Sequence, residues 1–281
     1  MLQVACLAVT GEASGWLRRW LAPPRPYAPP ALPRRERRLL VTELWVVFAI
    51  TLALSGLRSG LSLIQSLLRP GPLSDQHVAL NAPAALNQYV DFGLQLTSVI
   101  QLVGWGALGV YLLVRAGLTV ADIGLDRSRP WRDAGLAVGL AVLIGLPGLG
   151  LYLVSRAMGV DLTVQPSTLT ETWWRLPVLI ASAVGNAWAE EVLLTGYLLS
   201  RLRRLGWSEN GSVALSAVVR GCYHLYQGAG GAVGNLVMGV VFGRVWQRTG
   251  RLWPLVGAHA LLDIVAFVGY ALLHGRVPWL P

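Results

Sequence analysis

The chain has 281 residues, 54% of them hydrophobic and 13% charged, with a mean hydropathy of +0.54. Its net charge of +9 would suit a nucleic-acid partner, but no recognition motif accompanies it and the basic residues do not form one patch, so nucleic acid is excluded. Two isolated cysteines, Cys6 and Cys222, exclude a disulfide framework and a zinc ribbon.

The first 38 residues read as a separate basic, Pro-rich cytoplasmic segment. Residues 1–10 lack the charged start of a signal peptide. Trp16, Leu17, Trp20 and Leu21 with Arg18 and Arg19 suit a short interfacial helix. The prolines that follow suit an extended linker, though a disordered basic tail accounts for the same composition. From residue 39 onward, apolar runs of about 20 residues, enough to cross a bilayer, recur to the end. Seven are read, at 40–68, 90–114, 134–154, 174–199, 213–227, 232–246 and 252–273, the first interrupted by Arg58 and the third by Pro147. The prediction is an all-α, polytopic membrane bundle of about seven helices in one domain, 39–281, with its polar residues in the C-terminal half. Ala181, Gly185 and Ala189, and Gly239 and Gly243, recur every four positions, a spacing that lets membrane helices approach closely. No internal repeat is found.

All 23 basic residues are arginine, which we attribute to base composition and a GC-rich bacterial source. They alternate by loop. Arg34, Arg35, Arg37 and Arg38 precede the first span, Arg127, Arg129 and Arg132 follow the second, Arg201, Arg203 and Arg204 the fourth, and Arg248 and Arg251 the sixth, while the other loops are poor in arginine. That pattern predicts a multi-pass protein of the bacterial cell membrane with a cytoplasmic N-terminus.

Span four carries adjacent acids, Glu190 and Glu191, inside an apolar run. Each ionised carboxylate costs about 2.5–3.5 kcal/mol at mid-bilayer, so such acids mark a functional site by default. Span five carries Arg220 and His224, and span seven His259 and Asp263, each pair four residues apart and therefore on one helix face. Three helices bearing this cost are most simply explained by a shared wet cavity. By the predicted boundaries His224 lies further outward than the other groups.

The segments AEEVLLTGYLL, RGCYHLYQG and HALLD resemble the three ordered motifs of the CPBP intramembrane proteases, also called the Abi family, which include the CAAX prenyl proteases and bacteriocin-processing enzymes. The likeness covers a core of about 174–273. It implies an intramembrane endopeptidase that hydrolyses a peptide bond of a membrane-associated substrate near the cytoplasmic face. Glu190 and His224 would activate water, and His259 and Asp263 would hold the oxyanion, with Glu191 completing the catalytic set. Two positions depart from the family pattern. Thr195 stands where the family has an arginine and Arg220 where it has a phenylalanine. The paired exchange predicts that a positive charge lost from span four returns on span five to face Glu191.

The chemistry agrees in outline. A carboxylate in a poorly solvated site is a stronger base than in water, a neighbouring histidine can share the proton, and a polar group must stabilise the tetrahedral intermediate. An ionised Asp263 would repel that intermediate, so it must be protonated, orient His259 or bind a metal. No cofactor is expected. If a metal is present, Glu190, His224, His259 and Asp263 offer ligands suited to zinc, but there is no HExxH motif. Two other functions fit buried acids and histidines. One is a non-catalytic CPBP-like immunity or scaffold protein, and the other is a proton-coupled transporter, which inverted repeats would favour.

Overall fold

The computed structural model describes residues 31–277, so the expectations for residues 1–30 lie outside the described residues. The chain is helical throughout its membrane part. The first apolar run forms two helices, α1 (Arg34–Ile50) and α2 (Leu52–Leu67), bent by 48° at Thr51. The break falls at Thr51 rather than Arg58, because the Thr51 hydroxyl donates back to the Val47 carbonyl at 2.7 Å and the backbone turns away. Helix α1 begins at Arg34, within the predicted linker. Next comes α3 (Gln88–Arg115), whose first amides at Tyr89 and Val90 are capped by the Asn87 carboxamide oxygen. Helix α4 (Pro130–Ala157) starts with proline, which needs no donor at that position, and continues through Pro147.

The fourth run is one long element in three parts. Helix α5 (Arg175–Glu190) passes into a π-helical stretch, Glu191–Leu198, and then into α6 (Leu199–Arg204). Then come α7 (Glu209–Tyr223), α8 (Ala229–Thr249) and α9 (Trp253–Leu273). Among the described residues five helices are long and apolar enough to cross a membrane, and the bent α1–α2 pair, taken as one span, makes six. The protein is therefore a multi-pass all-α membrane protein.

The fifth predicted span needs correcting. Helix α7 has 15 residues, about 22 Å at 1.5 Å per residue, and is shorter than a bilayer core. It begins and ends four residues before the predicted 213–227. His224 thus sits at the helix end, followed by a tight turn at Leu225–Gln227 and by Gly228. His224 nevertheless borders the same cavity as Glu190, His259 and Asp263, so it is not set apart from them as its predicted position implied.

The α5–α6 element lies at the centre. Leu193, Leu194 and Tyr197 pack with Leu112 and Leu113 of α3, and Val192 with Phe242 of α8 and Leu255 of α9. Helix α4 turns large apolar side chains outward, with Leu146 68% exposed, as a lipid-facing helix does. Close approach of α7 and α8 depends on glycine. A Cβ at Gly239 would lie 2.8 Å from the Ala217 Cα and 3.4 Å from the Arg220 Cδ.

The connections group at two ends. At one end, strands β1 (His77–Ala79) and β2 (Thr163–Gln165) pair in parallel, and Asp161 bridges to Gly228. At the other, Arg251 pairs with Asp126 at 2.6 Å and with Asp133, while Trp253 Nε1 donates to the Leu125 carbonyl at 2.8 Å. The loops that follow α3 and α8 therefore share one side of the bundle.

Candidate active site

Three helices bring the predicted polar residues together. Glu190 is the last residue of α5 and Glu191 opens the π-helical stretch. In an α-helix neighbouring side chains diverge, whereas here both acids face Arg220 of α7. The Arg220 guanidinium reaches Glu191 Oε1 at 2.6 Å and Glu190 Oε2 at 3.3 Å, and Arg220 is 0% exposed. Wide π turns recur at functional sites.

The two acids occupy different surroundings. Glu191 is 0% exposed. It accepts hydrogen bonds from Arg220 and, at 3.0 Å, from the Thr195 hydroxyl one turn along, and it lies 2.8 Å from His259 Nδ1. Glu190 accepts from Arg220 and from the Tyr223 hydroxyl at 2.5 Å. Glu190 borders a cavity of about 1380 Å³ together with Asn186, Tyr223, His224, His259 and Asp263. Glu191, Thr195 and Arg220 do not line it and form the layer behind.

His224 places Nδ1 3.0 Å from the Arg220 carbonyl. Only a nitrogen bearing hydrogen can donate to that oxygen, so the proton belongs on Nδ1 and Nε2 keeps its lone pair in the neutral ring. Its ring packs against Tyr223, with centroids 4.6 Å apart. The turn after His224 is held from outside. Asp161 is 1% exposed, and its carboxylate accepts from the Gly230 amide at 2.7 Å and from the Ser155 hydroxyl at 2.5 Å. Gly228 adopts φ +112°, and a Cβ there would meet Asp161 Oδ1 at 2.4 Å, so only glycine turns the chain at this point.

On α9, His259 lies between acids, with Nδ1 on Glu191 and Nε2 3.6 Å from Asp263 Oδ2. Asp263 accepts from Asn186 Nδ2 at 3.0 Å. The structure thus brings all five residues predicted as catalytic, with Arg220 and Thr195, into one connected cluster around one cavity. It adds two that the sequence reading passed over. Asn186 lies four residues before Glu190 and so on the same face, a signal the sequence carried. Tyr223 precedes His224, and nothing in the spacing points its hydroxyl at Glu190. Among the described residues no three His, Cys, Asp or Glu side chains group as a metal site requires.

Residues 172–265 match the family model of the type II CAAX prenyl endopeptidases, Rce1-like. That model is one of the CPBP family. The matched stretch includes every residue of the cluster, and α1 to α4 lie outside it. No curated protein and no solved structure matches the chain.

Proposed function

We propose that this protein is an intramembrane endopeptidase in which Glu190 and His224 activate a water molecule. The observation that carries the proposal is the position of Glu190. It is oriented by Tyr223 and Arg220 at a cavity that His224 also lines, within the stretch that matches a CAAX endopeptidase family. Water held between the Glu190 carboxylate and the His224 Nε2 lone pair attacks the peptide carbonyl, and Glu190 takes its proton. The proton then passes to the departing amine as the C–N bond breaks, giving a carboxylate and an amine. Arg220 keeps the two adjacent acids together without spanning the cavity, and Glu191 and Thr195 hold Arg220 and His259 in place.

The chemistry proposed here needs no metal, so a chelator should leave the rate unchanged, and loss of activity with recovery on adding zinc would overturn that part. The arginine-rich side of the bundle is assigned to the cytoplasm. A cysteine introduced at position 127 should then be labelled in opened vesicles and protected in sealed right-side-out cells, and the reverse would invert the topology. The substrate proposed is a membrane-associated peptide or protein. The function is tested by incubating the purified full chain in micelles with membrane-derived peptides beside its Glu190→Gln variant. Wild-type cleavage abolished in the variant supports the proposal. If the wild type cleaves nothing, a non-catalytic role or, with proton-coupled uptake into liposomes, a carrier takes its place.

A further inference from the structure

Hydrolysis at Glu190 needs a donor for the oxygen that becomes negative in the tetrahedral intermediate. Asp263 lines the cavity where such a donor is wanted, and a carboxylate offers only acceptors. The donors of Tyr223, His224 and His259, which border the cavity with Glu190, already have partners. The Tyr223 hydroxyl is given to Glu190, His224 Nδ1 to the Arg220 carbonyl, and both ring nitrogens of His259 face carboxylates. The amides of Gln227 and Asn235 each give one hydrogen, to the Tyr226 hydroxyl and to the Gly231 carbonyl, and stand on the turn after α7 and on α8. Asn186 differs. Its Nδ2 donates one hydrogen to Asp263 Oδ2 at 3.0 Å, and its second N–H has no protein partner among the described residues. The amide nitrogen, rather than its oxygen, faces the Asp263 side chain. Asn186 lies one helical turn from Glu190, which separates their Cβ atoms by about 5–6 Å, and both line the cavity.

We propose that Asn186 is a catalytic residue whose free N–H binds the oxyanion, and that Asp263 is a positioning residue that points the amide nitrogen at the cavity. The amide donor therefore stands on α5, beside the base, while α9 supplies the carboxylate that aims it. The assignment rests on the peptidase reading and says which group completes that site.

The test uses the purified full chain in micelles with a cleavable membrane peptide, reading kcat, KM and melting temperature. Asn186→Ala should lower kcat by about 10²–10³-fold, the loss typical of one oxyanion donor, with KM and melting temperature close to wild type. Asn186→Asp should be as poor. Reversing the pair, Asn186→Asp with Asp263→Asn, keeps the hydrogen bond and returns an amide to the site, so kcat should recover at least tenfold over Asn186→Asp alone. This double variant also decides the matter if Asn186→Ala does not fold. A kcat for Asn186→Ala within threefold of wild type, or a folded double variant no better than Asn186→Asp, overturns the assignment while leaving the peptidase standing. Absence of cleavage by the wild type overturns both.

Discussion

Two arginines in this protein each face two carboxylates. Arg220 sits within the bundle against Glu190 and Glu191, and Arg251 sits at one end against Asp126 and Asp133. Their compositions are alike, but their surroundings are not. Around Arg251, Ser128 and the Asp126 carbonyl take up further donors and none of these residues lines the cavity at Glu190, so the cluster ties the loop after α3 to the start of α9. Around Arg220 one carboxylate borders a cavity while its neighbour is sealed behind it. An ion cluster alone therefore says little about function. What distinguishes a reactive one is a carboxylate that is oriented by fixed donors and still open on one side.

The largest effect should come from breaking the inner cluster. Arg220→Phe leaves two buried acids without their cation, a loss of about 3–5 kcal/mol, read as a fall in melting temperature and in folded yield. Adding Thr195→Arg returns a cation one turn from Glu191 and should recover part of the loss. No recovery would mean that the charge cannot be supplied from the π-helical stretch. Next, His224→Asn should reduce cleavage by about 10²-fold or more, as expected for a group that shares a proton in the transition state, with little change in melting temperature. A retained rate would remove the histidine from the chemistry.

The outer cluster should respond in the opposite sense. Asp133→Asn weakens a charge-assisted bond worth about 1.5–3 kcal/mol and should lower the melting temperature while leaving kcat unchanged. An altered kcat would show that the two clusters are coupled. The smallest effect concerns acid. Hydrogen bonds from Arg251 and then Ser128 hold Asp126 below the usual carboxylate range. Its folded-state affinity for protons is thus lower than in the unfolded chain, where an aspartate titrates near pH 4. Its contribution is present above that pH and is lost as pH falls through the depressed folded value. Melting temperature between pH 5 and 3 should therefore fall more in the wild type than in Asp126→Asn, and equal slopes would count against the pairing.

Much of this site was legible in the sequence because its signals are local. Glu190 and Glu191 are adjacent, and His259 and Asp263 are four apart in an apolar run. The exchange of charge between Thr195 and Arg220 was readable because both flank marked positions, and the 2.6 Å contact of Arg220 with Glu191 has the expected partners. What escaped depends on long-range packing or on backbone detail. The partners of Arg251 are 118 and 125 residues away in sequence, so it read only as a loop arginine. The end of α7 at Tyr223 is set by Asp161 and by the turn at Gly228, and hydropathy does not register either, which is why the fifth span was drawn too far along the chain.

The most direct test is to follow oxygen from solvent in a single turnover. The wild type and Glu190→Gln, in water enriched in ¹⁸O, would be mixed in excess with a membrane peptide and both product and protein analysed by mass spectrometry. If Glu190 activates water, the wild-type product carries one ¹⁸O at its new carboxyl terminus, Glu190 carries none, and the variant gives no product. Label on Glu190, product without ¹⁸O, or cleavage undiminished in Glu190→Gln would contradict the account.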